Sequence, residues 1–175
     1  MNYTLLSSLC RTAIAVIAIV GINASVARAQ VPSGKATPLI VGTWKINFEK
    51  SGIRNPPPAA FQIRQYRLRD DAFLVGILIT SDAQGRISTL QFTAKSDGKD
   101  YPEYSDAILA DMIATGKPTP RTYAETIIDE HVTEWVDKAN GKITAKGKKT
   151  ISADGKTLTI TNDNNPSQVT IFDRQ

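Results

Sequence analysis

Apolar and polar residues alternate along most of this chain in short runs. Trp44, Ile46 and Phe48 share one parity, with Lys45 and Asn47 opposite. Leu90 and Phe92 alternate with Thr89, Gln91 and Thr93, and Leu158 and Ile160 with Thr157, Thr159 and Thr161. A period of two places one set of side chains inside and the other in water, which is the mark of a half-buried strand. The pattern predicts strands at 42–49, 61–70, 73–81, 87–96, 121–129, 132–138, 142–152, 156–162 and 168–173. Ala72 to Ile79 is apolar on both parities and predicts a strand covered on both faces.

Tight turns separate these runs. Glycine precedes a basic residue at Gly85-Arg86, Gly98-Lys99, Gly141-Lys142 and Gly155-Lys156. Asn140-Gly141 and Asp154-Gly155 favour type I′ hairpins, whose two central residues need positive φ. One segment departs from the alternation. Ile108, Leu109, Met112 and Ile113 fall on one face of a helix, with Ser105 as cap, Asp106 in the first turn, and Gly116 and Pro118 as stops. A short helix at 105–115 is expected, with those four side chains against the sheet. Consecutive hairpins favour a meander closed into a barrel, which leaves no exposed edge. The fold expected is all-β: an antiparallel up-and-down barrel of eight to nine strands with this one helix.

The ends sort differently. Thr12 to Ile22 is an apolar run, Arg11 precedes it, and Ala27-Arg28-Ala29 follows as a cleavage site with small residues. The run is shorter than the roughly 20 residues of a membrane span. Residues 1–29 are therefore expected to be a signal peptide, 30–40 a flexible tether with two prolines, and 41–175 the barrel domain. The mature protein is expected in the periplasm or secreted, monomeric and without a membrane span. Cys10 is the only cysteine and leaves with the signal peptide, so no disulfide or thiol chemistry is available to the 146 of 175 residues that follow Ala29. A chain of that length buries enough surface, roughly 68–70%, to fold on its core alone.

Val41-Gly42-Thr43-Trp44-Lys45-Ile46 resembles the first strand of the calycin superfamily, which includes lipocalins and fatty-acid-binding proteins. With GTWKINFEKS at 42–51, SDGKDYP at 96–102 and GKKTISADGKTLTIT at 147–161, the chain resembles small secreted bacterial lipocalin-like proteins of unknown function. The resemblance implies a lipocalin-like barrel in which Gly42 and Trp44 close one end and Arg174 covers the tryptophan. The departures are equally specific. Pro56-Pro57-Pro58 forbids helix where fatty-acid-binding proteins insert two. The terminal Ile171-Phe172-Asp173-Arg174 lacks the Arg-x-Tyr that binds a fatty-acid carboxylate there, so that role does not carry over.

Charge and chemistry narrow the function only by exclusion. Without Arg11 and Arg28, 19 basic residues face 17 acidic ones, a net of +2. The cluster Lys142, Lys146, Lys148 and Lys149 lacks the breadth and stacking aromatics of a nucleic-acid surface; Lys142, Lys146 and Lys148 read as one solvated face. His131, the only histidine, reads as a turn residue, and Asn162 to Pro166 as a turn rather than a calcium loop. No catalytic residue, metal or cofactor is expected. A hollow barrel would present Arg64, Tyr66, Phe92, Tyr123 and Trp135 to a small apolar or amphipathic ligand, with Ile108 and Met112 as a lid. A buried Arg64 would need Glu125, Glu134 or a ligand carboxylate as partner. A filled barrel would instead be a non-catalytic envelope protein that docks to a protein partner through an exposed strand face or the 103–120 segment.

Overall fold

Ten antiparallel strands close on themselves in the computed structural model, which describes residues 38–57, 60–69 and 71–175. They are β1 (Gly42–Ile46), β2 (Phe61–Leu68), β3 (Leu74–Ser81), β4 (Ile87–Ala94) and β5 (Tyr101–Ser105), then, after helix α1 (Asp106–Thr115), β6 (Arg121–Ile127), β7 (Val132–Ala139), β8 (Lys142–Ile151), β9 (Thr157–Asn162) and β10 (Val169–Arg174). Each strand pairs with the next, and β10 returns to β1 through Trp44↔Arg174 and Ile46↔Phe172. The expected signal peptide and residues 30–37 of the expected tether lie outside the described residues. The last three residues of the expected tether, Pro38 to Ile40, are among those described. They form a turn closed by Val41 N–H to Pro38 O, and the carbonyls of Leu39 and Ile40 accept hydrogen bonds from Arg174 and Trp44.

The count of ten corrects the expected eight to nine. The added strand is β5, and chemistry explains why hydrophobic alternation misses it. Its inward residues are Tyr101, Glu103 and Ser105, so its buried side is polar. Pro102 donates no backbone hydrogen bond, and the β5–β6 register holds only Tyr101↔Tyr123 and Pro102↔Thr122. The other strands end within one to three residues of their expected bounds, the usual disagreement over strand ends.

Two further expectations change. Asn140 and Gly141 both take positive φ, 50° and 73°, as a type I′ turn requires. At Asp154-Gly155 only the glycine does, at 69°. There the Asp154 carboxylate shapes the turn by accepting hydrogen bonds from Ser152 Oγ at 2.6 Å and Lys156 N–H at 3.0 Å. β3 is covered on its inner side by the barrel, while Val75, Ile77 and Ile79 on its outer side stay partly exposed.

α1 forms where expected and ends as expected, with Gly116 left-handed and its N–H on Met112 O. Its orientation is the opposite of the expected one. Leu109, Met112 and Ile113 are 58%, 51% and 78% exposed, and of the four apolar residues only Ile108 is half-buried. Polar contacts set this. Ser105 makes no side-chain cap; instead the Asp106 carboxylate accepts from Thr89 N–H at 2.6 Å and Thr89 Oγ1 at 3.1 Å. One turn on, Asp111 lies 3.5 Å from the Arg121 guanidinium. The helix thus rests on Ala107, Ile108 and Asp111.

Candidate ligand-binding site

The register places a different environment at each end of the barrel. At the end where β1 begins and β10 finishes, Trp44, Leu74, Ala94, Ile151, Leu158 and Phe172 are buried and form part of one apolar cluster. Trp44 is closed from outside. Its indole Nε1 donates to Ile40 O at 2.8 Å, and the Arg174 guanidinium lies 4.2 Å from its ring centroid. Gly42 makes room for this arrangement: a Cβ there would meet Arg174 Nη1 at 2.6 Å, and its φ of 144° is one that side chains rarely adopt. Gly42, Trp44 and Arg174 therefore act as one closure.

Above that plug the interior becomes polar. Lys149 Nζ lies 2.5 Å from Glu125 Oε2 and 2.5 Å from Tyr123 Oη, and Tyr123 donates to the same carboxylate oxygen at 2.5 Å. Ser96 Oγ donates to Glu125 Oε1 at 2.7 Å. Lys149 and Glu125 are 3% and 4% exposed. The ammonium also sits 5.0 Å from the ring of Tyr66, 5.5 Å from Phe92 and 5.1 Å from Tyr123. Burial pushes the Glu125 carboxyl up, but the Lys149 charge and the hydrogen bonds from Lys149, Tyr123 and Ser96 win and hold it below its usual value. Burial, and then the Glu125 charge, push the Tyr123 hydroxyl well above its usual value. The group is fully satisfied and surrounded by aromatic rings, with Phe92 stacked on Tyr123 at 3.8 Å.

The other end is open. A cavity of about 350 Å³ lies between Phe48, Ile53 and Ala60, the start of β2 and end of β3, and the β9–β10 side. Arg64 and Trp135 line it, together with apolar Ile46, Phe48, Ile53, Phe61 and Ile160 and polar Gln62, Thr80, Asn162, Gln168 and Thr170. Arg64 is the deepest of the β2 residues that reach it, level with Trp44 in the register. Its guanidinium stands 5.0 Å from the Phe172 ring, and neither its Nε nor Trp135 Nε1, both buried, has a hydrogen-bond partner among the described residues.

The five expected ligand contacts thus divide. Arg64 and Trp135 line the cavity; Tyr66, Phe92 and Tyr123 lie in the filled layer around Lys149. Neither expected partner of Arg64 is within reach, because Glu125 is held by Lys149 and Glu134 lies outside, 3.6 Å from Lys148. Ile108 and Met112 do not line the cavity, although α1 sits at the same end of the barrel. Two clusters escaped hydrophobic pattern reading. One is Lys149, although its shared parity with Ile151, opposite to Lys146 and Lys148, is a signal for it. The other is Asp137, Glu103 and Arg121 on the α1 side. Burial and then the Glu103 charge raise the Asp137 carboxyl to about 6, against the opposing charges of Lys149, Arg64 and Arg121.

His131 lies in the β6–β7 turn, with its ring Nδ1 3.0 Å from Ile151 O, and Asn162 to Gln168 form the β9–β10 turn. Among the described residues no cluster of three or more potential ligands is placed to hold a metal ion, and no helix is long and apolar enough to cross a membrane. No protein-family model matches this chain, and no curated protein shows significant similarity to it.

Proposed function

We propose that the protein is an exported, lipocalin-like carrier that holds a small amphipathic molecule in the open half of its barrel. The observation that carries this reading is the cavity itself: about 350 Å³, mixed apolar and polar in lining, with buried and unpartnered N–H groups of Arg64 and Trp135 at its depth. Sites for small molecules are concave, of roughly 300–1,000 Å³, mostly apolar, and supplied with a few placed polar groups. The filled half gives such a cavity a rigid floor, and the all-around hydrogen bonding of a closed barrel gives it rigid walls. Export is supported by the apolar run Thr12 to Ile22 and the small residues Ala27 and Ala29. The calycin resemblance draws support from Arg174 over Trp44. Titration with the neutral fluorophore 1-aminoanthracene tests the carrier reading, with native mass spectrometry of protein purified from its own host as the second arm. Saturable one-to-one uptake or a co-purifying small molecule supports it; the absence of both refutes it.

A second reading is favoured by a different observation. Leu109, Met112 and Ile113 form an exposed apolar helix face, with exposed Tyr104 on the strand that leads into it. An envelope protein that docks to a partner would present such a face. Failure of both uptake arms makes this the better reading.

A further inference from the structure

We propose that the molecule held in the cavity is a compact monoanion with a ring-sized apolar body, bound head-down, its carboxylate on Arg64 and Trp135. This rests on the carrier reading and adds the charge, size and direction of the ligand.

Charge accounting inside the barrel points to Arg64. Among the described residues three basic side chains, Lys149, Arg121 and Arg64, face inward, and Arg174 covers the closed end from outside. Lys149 is held by Glu125 at 2.5 Å, and Arg121 has Asp111 at 3.5 Å. Arg174 donates to the carbonyls of Gly155, Val41 and Leu39. Arg64 makes no ion pair with any described residue, and its contact is the face of Phe172. A guanidinium is never neutral in a protein, so this charge is always present at the cavity floor. Sequestering it without an acceptor is costly, and an anion removes that cost. Trp135 adds an indole donor that can only donate. Two donors and no lining carboxylate define an acceptor site.

Direction follows from depth. Arg64 and Ile160 are the deepest lining residues of their strands, whereas Phe48, Ile53 and Phe61 lie nearer the open end. A head group on Arg64 leaves the apolar body beside Phe48 and Ile53, nearer the open end. Asp137 feels the Arg64 charge, but it does not line the cavity and forms no ion pair with Arg64.

The test compares three probes that share one body: 3-phenylpropanoate, 3-phenylpropanol and 3-phenylpropylamine, titrated calorimetrically into the mature chain at pH 8. A charge-assisted hydrogen bond predicts that the carboxylate binds at least about tenfold tighter than the alcohol, and the amine more weakly than either. Arg64→Met should remove the preference by weakening the carboxylate alone. A second readout needs no variant at the charge. The chain has two tryptophans, so its two indole N–H resonances are assigned with Trp135→Phe. The carboxylate should move the Trp135 resonance and leave that of Trp44, already bonded to Ile40 O, in place. Equal binding of carboxylate and alcohol overturns the anion inference and leaves the carrier reading standing. So does carboxylate binding that leaves the Trp135 resonance unmoved, since the head group then lies elsewhere. Binding of none of the three, with 1-aminoanthracene taken up, overturns the inference; binding of nothing at all overturns both.

Discussion

Arg174 lies across the face of Trp44, its guanidinium 4.2 Å from the ring centroid, and ties the last strand to the residues just before the first. The arginine donates to three carbonyls, those of Leu39, Val41 and Gly155, and the indole donates to a fourth, that of Ile40. The first and last strands are thereby joined at the closed end of the barrel, over a fully buried ring. Trp44→Ala should cost roughly 3–5 kcal/mol, as large-to-small core substitutions of aromatics do. Arg174→Lys keeps the charge but loses the planar fork, and should cost about 1–3 kcal/mol. Urea unfolding midpoints check both. A wild-type midpoint for Arg174→Lys would show that the charge alone, without the fork, closes the barrel.

The Lys149–Glu125 pair makes an opposite kind of prediction, because its two members are not equivalent to their sum. A buried ion pair contributes little over an apolar substitute, but breaking one side strands a charge. Lys149→Met should therefore destabilise by roughly 3–5 kcal/mol at neutral pH. The double change Lys149→Met with Glu125→Gln should be less destabilised than the single one. The single variant's deficit should also shrink as pH falls, because burial, no longer opposed by the Lys149 charge, favours the protonated Glu125 carboxyl. Additive losses in the double variant would mean that the pair is held by packing rather than by charge.

These two regions mark how far the sequence is legible. The plug is readable because its chemistry agrees at each level: Trp44 alternates with polar Thr43 and Lys45, and Arg174 sits at register with it. The Lys149 layer and β5 are hard to read for one common reason. Parity analysis assumes that the inward side is apolar, and here Glu103, Glu125, Asp137, Lys149, Arg64 and Arg121 point inward. A strand such as Tyr101–Ser105, with a buried glutamate at its centre, then looks like a loop. The helix was legible in place but not in direction. Its apolar stripe is plain in the sequence, yet two carboxylates, Asp106 and Asp111, find partners on the barrel and turn the stripe outward. The cavity depends on which interior positions are filled, and periodicity carries no information on volume.

Asp137 gives a prediction in pH. Its carboxyl is raised from 3.8 to about 6, chiefly by burial and next by Glu103. The folded protein thus holds this proton more firmly than the unfolded chain. The stability it contributes is fully present below the unfolded value near 3.8 and is lost as pH rises through about 6. Asp137→Asn removes that loss. Relative to wild type it should gain about 1–3 kcal/mol at pH 8 and little at pH 4. The relevant quantity is the difference between the two proteins at each pH, since Asp82, Asp97, Asp154 and Asp173, all lowered, impose the opposite slope on both. A gain that does not grow between pH 4 and pH 8 would remove the buried carboxyl from the account.

The helix supplies the last prediction. A lid role for Ile108 and Met112 requires that their loss open the cavity. Met112 is 51% exposed, Ile108 is half-buried against the barrel wall, and no residue of α1 lines the cavity. Exposed substitutions away from caps and buried groups stay within about 0.5 kcal/mol. Leu109→Ser with Met112→Ser and Ile113→Ser should therefore leave the unfolding midpoint nearly unchanged. It should also leave the release rate of 1-aminoanthracene, followed by stopped-flow displacement, at the wild-type value. Ile108→Ser with Met112→Ser should cost somewhat more, through Ile108 alone, and again leave release unchanged. Asp106→Ala should act differently from all of these. It strips the Thr89 N–H of its acceptor and frees the first turn, so it should loosen α1 and raise amide exchange at Thr89 and through the helix. Faster probe release in the Met112 variants, without a change in midpoint, would place α1 over the mouth when ligand is bound and restore the lid. Unchanged release, with exchange rising only in Asp106→Ala, would show that the helix is fastened beside the cavity and that its apolar face serves something other than the ligand.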